Sequence, residues 1–219
     1  MTAEQIHPLR VVSVLTQYPD QAAVDAAGRL DPAEVGPLKP KPRKSLGRFL
    51  DWYRGHSVAE LQGEYVDTFD FDRQRSLHMT YHIHGDSRQR GLALLQIKSA
   101  YREAGFEVSD SELPDFLPVM LEFAALAEPP HGRDLLERHR PSIELIRESL
   151  RAGENPWAGL FDLIRDGLPS LSSRQVARIR RLAEDGPPSE EVGLEPFAPP
   201  EVMPTEDGQV PLPMVGGQQ

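Results

Sequence analysis

Tyr65 to Gly105, YVDTFDFDRQRSLHMTYHIHGDSRQRGLALLQIKSAYREAG, is the densest mixture of aromatics, histidines and arginines in the chain, and its reading decides the fold. Two helical patterns meet in it at a polar corner, His84-Gly85-Asp86. Before the corner, Leu77 and Tyr81 lie four apart, as do His78 and His82, so a helix there would carry one apolar and one imidazole stripe. After it, Asp86 is the expected N-cap, and Gln89, three residues on, completes a capping-box pattern. Leu92, Leu95 and Tyr101 then recur at helical spacing, and Gly105 is the expected stop. Gly85 suits a tight helix–helix connection because it takes positive φ without steric cost.

Helical patterns continue on both sides. Pro8 to Tyr18 places Leu9, Val12 and Leu15 on one face, and Gln21 to Leu30 forms a weaker pattern. Pro37, Pro40 and Pro42, interleaved with Lys39, Lys41, Arg43 and Lys44, read as a basic, solvated loop. Leu46, Phe49, Leu50 and Tyr53 mark a helix ended by Gly55; Ser57 and Glu60 form a capping box for the next, with Val58, Leu61, Tyr65 and Phe69 in phase. Downstream, Glu112-Leu113-Pro114-Asp115 reads as a helix start, and Leu117, Met120, Leu121 and Ala124 as its buried stripe. Pro141 interrupts the pattern from Asp134 to Arg151, which predicts a kink or two helices. Trp157 to Leu168 and Ser172 to Glu184 complete the set, and sustained period-two runs are missing. The expected fold is all-α, a bundle of about eight to ten helices over residues 1–185. Residues 186–219 hold eight prolines, six acids and no Lys or Arg, a composition that predicts a disordered tail.

The 219 residues suffice for one domain with a real core. A net charge of −10 argues against sequence-independent nucleic-acid binding and is compatible with attracting a basic peptide. With no cysteine, thiol catalysis, disulfides and Cys-ligated metals are excluded. No window approaches the roughly 18 apolar residues of a membrane span, and the N-terminus shows no basic leader, so a cytoplasmic location is expected. His78, His82, His84 and Asp86 invite a metal reading, but the Glu of an H-E-x-x-H pattern is missing and capping or groove-lining histidines are favoured. Arg88 and Arg90 occupy the first turn after the corner, the unfavourable end for the helix dipole, which leaves a specific role, such as pairing with a carboxylate, and a solvated surface face equally open. Arg174, Arg178 and Arg181 read as an exposed charged face.

Taken together, Tyr65-Val66-Asp67-Thr68-Phe69-Asp70, Ser76-Leu77, Thr80-Tyr81, the HGD-x-R-x-RG corner from His84 to Gly91, Ala100-Tyr101-Arg102 and Gly105 closely resemble the nitrate reductase molybdenum-cofactor assembly chaperones, the nitrate reductase delta subunit or NarJ family. The resemblance continues through Glu112–Asp115, Leu117-Pro118 and Leu121–Ala124, and covers roughly residues 8 to 170. Ser87 stands where the family pattern has Thr, which keeps a hydroxyl.

The resemblance implies an all-helical chaperone rather than an enzyme. Its implied client is the N-terminal segment of the alpha (catalytic) subunit of respiratory nitrate reductase, which it would hold off the membrane while promoting insertion of the molybdenum–bis-guanine-dinucleotide cofactor. It implies no cofactor bound stably to the chaperone itself, no nucleic acid and no membrane insertion, with cofactor-delivery proteins as further partners. The expected peptide-binding residues are Tyr65, Phe69, Tyr81, His84, Gly85, Asp86, Arg88 and Arg90, the aromatics as anchors and the rest as polar rim. The alternatives are an adaptor for another molybdoenzyme and a His-cluster metal-binding protein.

Overall fold

Trp157 is fully buried, and the helices are laid around it. Its ring lies 4.9 Å from that of Trp52, 5.5 Å from Phe69, 5.9 Å from Phe49 and 6.4 Å from Tyr65, mostly edge-to-face. Its indole N–H donates to the Leu15 carbonyl at 3.2 Å, which removes the one polar group such a burial would orphan. One side chain thereby joins α1 (Pro8–Leu15), α3 (Pro40–Arg54), α4 (Val58–Tyr65) and α10 (Ala158–Asp166).

The computed structural model describes residues 5–109 and 112–185. Among them are eleven α-helices, one π-helical turn, one 3-10 turn and no strand, so the fold is all-α. The remaining helices are α2 (Gln21–Arg29), α5 (Tyr81–His84), α6 (Arg88–Glu103), α7 (Leu117–Leu126), α8 (His131–Arg138), α9 (Arg140–Ala152) and α11 (Ser173–Asp185). The acidic segment 186–219 lies outside the described residues. No helix among the described residues is long and apolar enough to cross a membrane.

Several boundaries follow local chemistry. Ser57 and Glu60 close the expected capping box on α4. Gly105, at φ +82°, ends α6 in a Schellman motif: its N–H reaches the Arg102 carbonyl, the Phe106 N–H reaches that of Tyr101, and the Tyr101 and Phe106 rings both meet Phe123. Pro141 separates α8 from α9 by sitting in the first turn of α9, where its missing N–H costs nothing.

Other expectations are corrected. The basic segment read as a loop is helical from Pro40, because both Pro40 and Pro42 fall within the first turn of α3. Glu112–Asp115 precedes α7 rather than starting it, and Pro118 takes the first-turn position. The helix expected through Leu77 and His78 is confined to Tyr81–His84. Residues 77–80 instead form a bridge and a turn: His78 pairs antiparallel with Phe116, the Met79 N–H bonds to the Asp115 carbonyl at 3.0 Å and the Leu117 N–H to that of Leu77 at 2.8 Å, and the chain then turns through Met79 and Thr80 into α5. Leu77 and Met79 enter the core, while the half-buried His78 and the buried Thr80 turn to Asp115. After α4 the chain widens into the π turn Val66–Asp70, which buries Thr68 for a 2.9 Å bond from the Asn155 amide and keeps Phe69 on Trp157.

Trp157→Ala is expected to cost about 3–5 kcal/mol. Urea denaturation with unchanged m-value checks it; a loss under about 1 kcal/mol would remove Trp157 from this central position.

Candidate functional site

Asp115 has no exposed surface, yet it is ionisable and stands at the base of the corner. Thr80 donates both its N–H, at 3.0 Å, and its hydroxyl to Oδ2, and His78 Nδ1 lies 3.3 Å from Oδ1. The Arg90 guanidinium approaches Oδ2 to 3.8 Å. Burial pushes the Asp115 carboxyl upward, but the hydrogen bonds from His78 and Thr80 outweigh it and hold it below the usual range. The carboxylate thus ties three elements together: the bridge and turn of residues 77–80, the start of α6 and the entry to α7.

Arg90 is the second tie. From the first turn of α6 it reaches back to Asp115, lies 3.6 Å from Asp86, donates to the Thr80 hydroxyl at 3.4 Å and sits 5.7 Å over the Tyr81 ring. Gly85 is buried with φ +54° and ψ −141°, a conformation open to glycine and strained for other residues, and its N–H caps α5 on the Tyr81 carbonyl. Asp86 is not the N-cap of α6; Ser87 is, because the first helical bond runs from the Arg90 N–H to the Ser87 carbonyl. Asp86 is left 78% exposed and pairs with Arg90 instead of closing a capping box with Gln89.

Of the eight residues expected at the site, the fold gathers six at the corner: Tyr81, His84, Gly85, Asp86, Arg88 and Arg90. Tyr65 and Phe69 lie in the core instead, against Trp157, with the Tyr65 hydroxyl bonded to the Thr16 carbonyl at 3.3 Å. Leu92 and Leu95 do not share a face with Tyr101: nine residues at about 100° each put Leu92 on the opposite side. They are 65% and 63% exposed, whereas Tyr101 is buried and donates to the Pro114 carbonyl at 2.8 Å. Arg88, Leu92 and Leu95 therefore form one outward stripe that starts at the corner.

The histidines have separate tasks. His78 faces Asp115 and stacks on Phe116 at 5.3 Å, and His82 is buried with Nε2 on the Ser76 carbonyl at 2.8 Å. Among the described residues no group of three His, Asp or Glu side chains converges as metal ligands would. Burial holds His82 below the usual imidazole range against the pull of the Ser76 carbonyl and Asp115. Burial drives His139 down to about 4, with Arg138, Arg178 and His84 adding to it against Asp115.

On the far side of Phe116 lies a cavity of about 370 Å³. Phe106, Phe116, Val119 and Phe123 give it an apolar floor, and Glu107, Glu112 and Glu122 line it with negative charge. Among the described residues, no Lys or Arg lines it. Neither this cavity nor the role of Asp115 emerges from periodicity; the one local hint is an acid set between Pro114 and the aromatic Phe116.

Residues 38–162 match the family model described as "Nitrate reductase delta subunit". The chain belongs to this family. The delta-subunit match spans α3 to the middle of α10 and so contains the corner, Asp115 and every residue lining the cavity except Gln17. The "Probable nitrate reductase molybdenum cofactor assembly chaperone NarJ" of Bacillus subtilis (strain 168) is 33% identical over 133 residues, 61% of this chain and 72% of the relative. The "Nitrate reductase molybdenum cofactor assembly chaperone NarJ" of Escherichia coli (strain K12) is 32% identical over 159 residues, 71% of this chain and 67% of the relative. The "Nitrate reductase-like protein NarX" of Mycobacterium tuberculosis (strain ATCC 25618 / H37Rv) is 36% identical over 146 residues, 67% of this chain and only 22% of that longer protein. The NarJ relatives are named as assembly chaperones, not as catalysts.

Asp115→Asn keeps the shape and removes the charge, and is expected to cost about 3 kcal/mol near neutral pH. Because the folded carboxyl lies below its unfolded value of about 3.9, this contribution is complete above that pH and fades as pH falls through the folded value. Urea titrations of both proteins from neutral to acid pH check it: the gap should be constant down to about pH 4 and narrow below. His139 acts in the same direction at higher pH, since its depressed value also makes folding release a proton. Stability should therefore fall from about pH 6.5 towards about 4, and His139→Gln should flatten that slope in thermal melts.

Proposed function

We propose that this protein is a dedicated chaperone that binds the N-terminal segment of a nitrate reductase alpha subunit, holds it off the membrane and promotes insertion of the molybdenum–bis-guanine-dinucleotide cofactor. The family match and the names of the NarJ relatives support the nitrate reductase and cofactor-assembly parts. Cytoplasmic residence and contact with cofactor-delivery proteins belong to the same reading. The observation that carries the peptide-binding part is the exposed Leu92–Leu95 stripe running straight from the charged corner.

A helical face carrying two exposed leucines beside Asp86 and Arg88 suits an amphipathic segment. Its apolar side would cover Leu92 and Leu95, and its charges would meet Asp86 and Arg88 at the rim. The buried tie from Arg90 to Asp115 pre-orders this surface, so little is lost in arranging it when a partner arrives. Tyr65 and Phe69 act at one remove, by setting the position of the preceding helix through Trp157. A second reading places the segment in the Phe116 cavity, favoured by its concave aromatic floor and glutamate lining, which suit a basic segment with an apolar anchor.

Calorimetric titration with a synthetic peptide of the first few dozen residues of the same organism's alpha subunit tests this, run above and below about pH 6.5. Asp86 is largely exposed, so Asp86→Ala should cost less than about 1 kcal/mol of stability. Saturable binding that weakens in Asp86→Ala and in Leu95→Asp supports the corner face. Weakening only in Glu112→Gln and Glu122→Gln moves the segment to the cavity. Absence of binding at both pH values rejects this client segment, and parallel loss of stability and affinity in Asp86→Ala rejects a recognition role for that residue.

A further inference from the structure

The basic run around Lys39 and Lys41 plays no part in the peptide face, and its position is electrostatically uncomfortable. Both residues sit at the N-terminal end of α3, where the helix dipole is already positive and cations gain nothing from it. They open onto a cavity of about 570 Å³, within the range of about 300–1,000 Å³ usual for small-molecule sites. Arg140, Arg151 and Arg165 line the same cavity, so five cations face two carboxylates, Asp162 and Asp166, in a chain whose net charge is −10.

Those carboxylates are already committed. Asp166 takes Lys39 at 2.7 Å. Asp162 is shared by two guanidinium groups, the Arg147 Nε at 2.8 Å and the Arg151 Nη2 at 2.8 and 2.9 Å to its two oxygens. No carboxylate among the described residues pairs with Lys41 or Arg165. Arg140 is only 3% exposed yet lines the cavity, fixed by Glu144 at 2.8 Å and by the Pro169 carbonyl at 3.0 Å. The hydroxyl-bearing Ser45 and Ser170 complete the wall. This is a concave, pre-positioned, net-positive site with two cations in want of an anion, and its chemistry is the reverse of the glutamate-lined cavity beside Phe116.

We propose that the cavity between the first turn of α3, α9, α10 and residues 168–171 binds a small phosphate-bearing molecule through Lys39, Lys41, Arg140, Arg151 and Arg165. The shared chemistry is a pyrophosphate group, either free or as part of a nucleoside diphosphate. An extended nucleic acid does not suit it, because the cavity is small and the chain around it carries a net charge of −10.

The full chain is titrated calorimetrically with inorganic pyrophosphate and with GDP, beside a Lys41→Gln/Arg165→Gln double variant. Neither substituted side chain holds an ion pair, so the variant is expected to melt with the parent. Saturable binding of at least one probe, weakened about tenfold or more in the double variant and by added salt, is the expected result. Tighter binding of GDP than of pyrophosphate identifies the nucleoside as part of the ligand; equal or weaker binding identifies the phosphates alone. No saturable binding of either probe, or affinity unchanged in the double variant, overturns the proposal. The client-peptide titration should be indifferent to the double variant, so this site and the peptide face fail or stand separately.

Discussion

A carboxylate with no exposed surface is costly to keep ionised, and the structure around Asp115 is arranged to keep it so. Thr80 and His78 reach it from the bridge and turn of residues 77–80, and Arg90 can reach it only if α6 starts close behind a tight corner. Gly85 makes that corner, and the Tyr101 hydroxyl and the Ser142 hydroxyl hold its two supports, the carbonyls of Pro114 and Met79, at 2.8 and 3.0 Å. The cost of one buried charge is therefore spread over a network whose geometry is the candidate binding surface. Such a network is better understood as fixing position than as adding stability.

The same logic recurs along α9. Arg140, Glu144 and Arg147 are all buried at spacings of four and three on α9, a charged stripe where a core helix usually carries aliphatic residues. Asp162 of α10 binds the next arginines in line, Arg147 and Arg151. Each charge is held by a partner of opposite sign, which fixes α9 against α10 and aims Arg140 and Arg151 at one cavity.

The legible and illegible parts of the chain differ in the range of the interactions that decide them. The capping box of Ser57 and Glu60, the stop at Gly105, the turn at Gly85 and the split at Pro141 were all readable, since each depends on residues within a few positions of one another. The pairing of a first-turn arginine with a carboxylate was readable as one of two open roles, as the dipole argument applies to Arg90 whatever its partner. The partner itself was not: Asp115 lies 25 positions away, in a segment that passes for a helix start. The phase of α6 was misread because Leu92 and Leu95 are apolar without being buried, and a hydrophobic pattern cannot tell a core face from a surface kept open.

What the sequence by itself determined is the all-α class, the order of the helices, most of their ends and membership of a family recognisable in its corner motif. These are set by local propensity, capping and periodicity, which need no knowledge of distant neighbours. Only the tertiary structure decided that residues 77–80 form a bridge and a turn rather than a helix, that Tyr65 and Phe69 are core, and that a charge can stay buried at Asp115. It also decided that acids line one cavity and cations another. Those outcomes depend on which segments meet, and a residue's neighbours across the fold outweigh its neighbours in the chain wherever burial or charge is at stake.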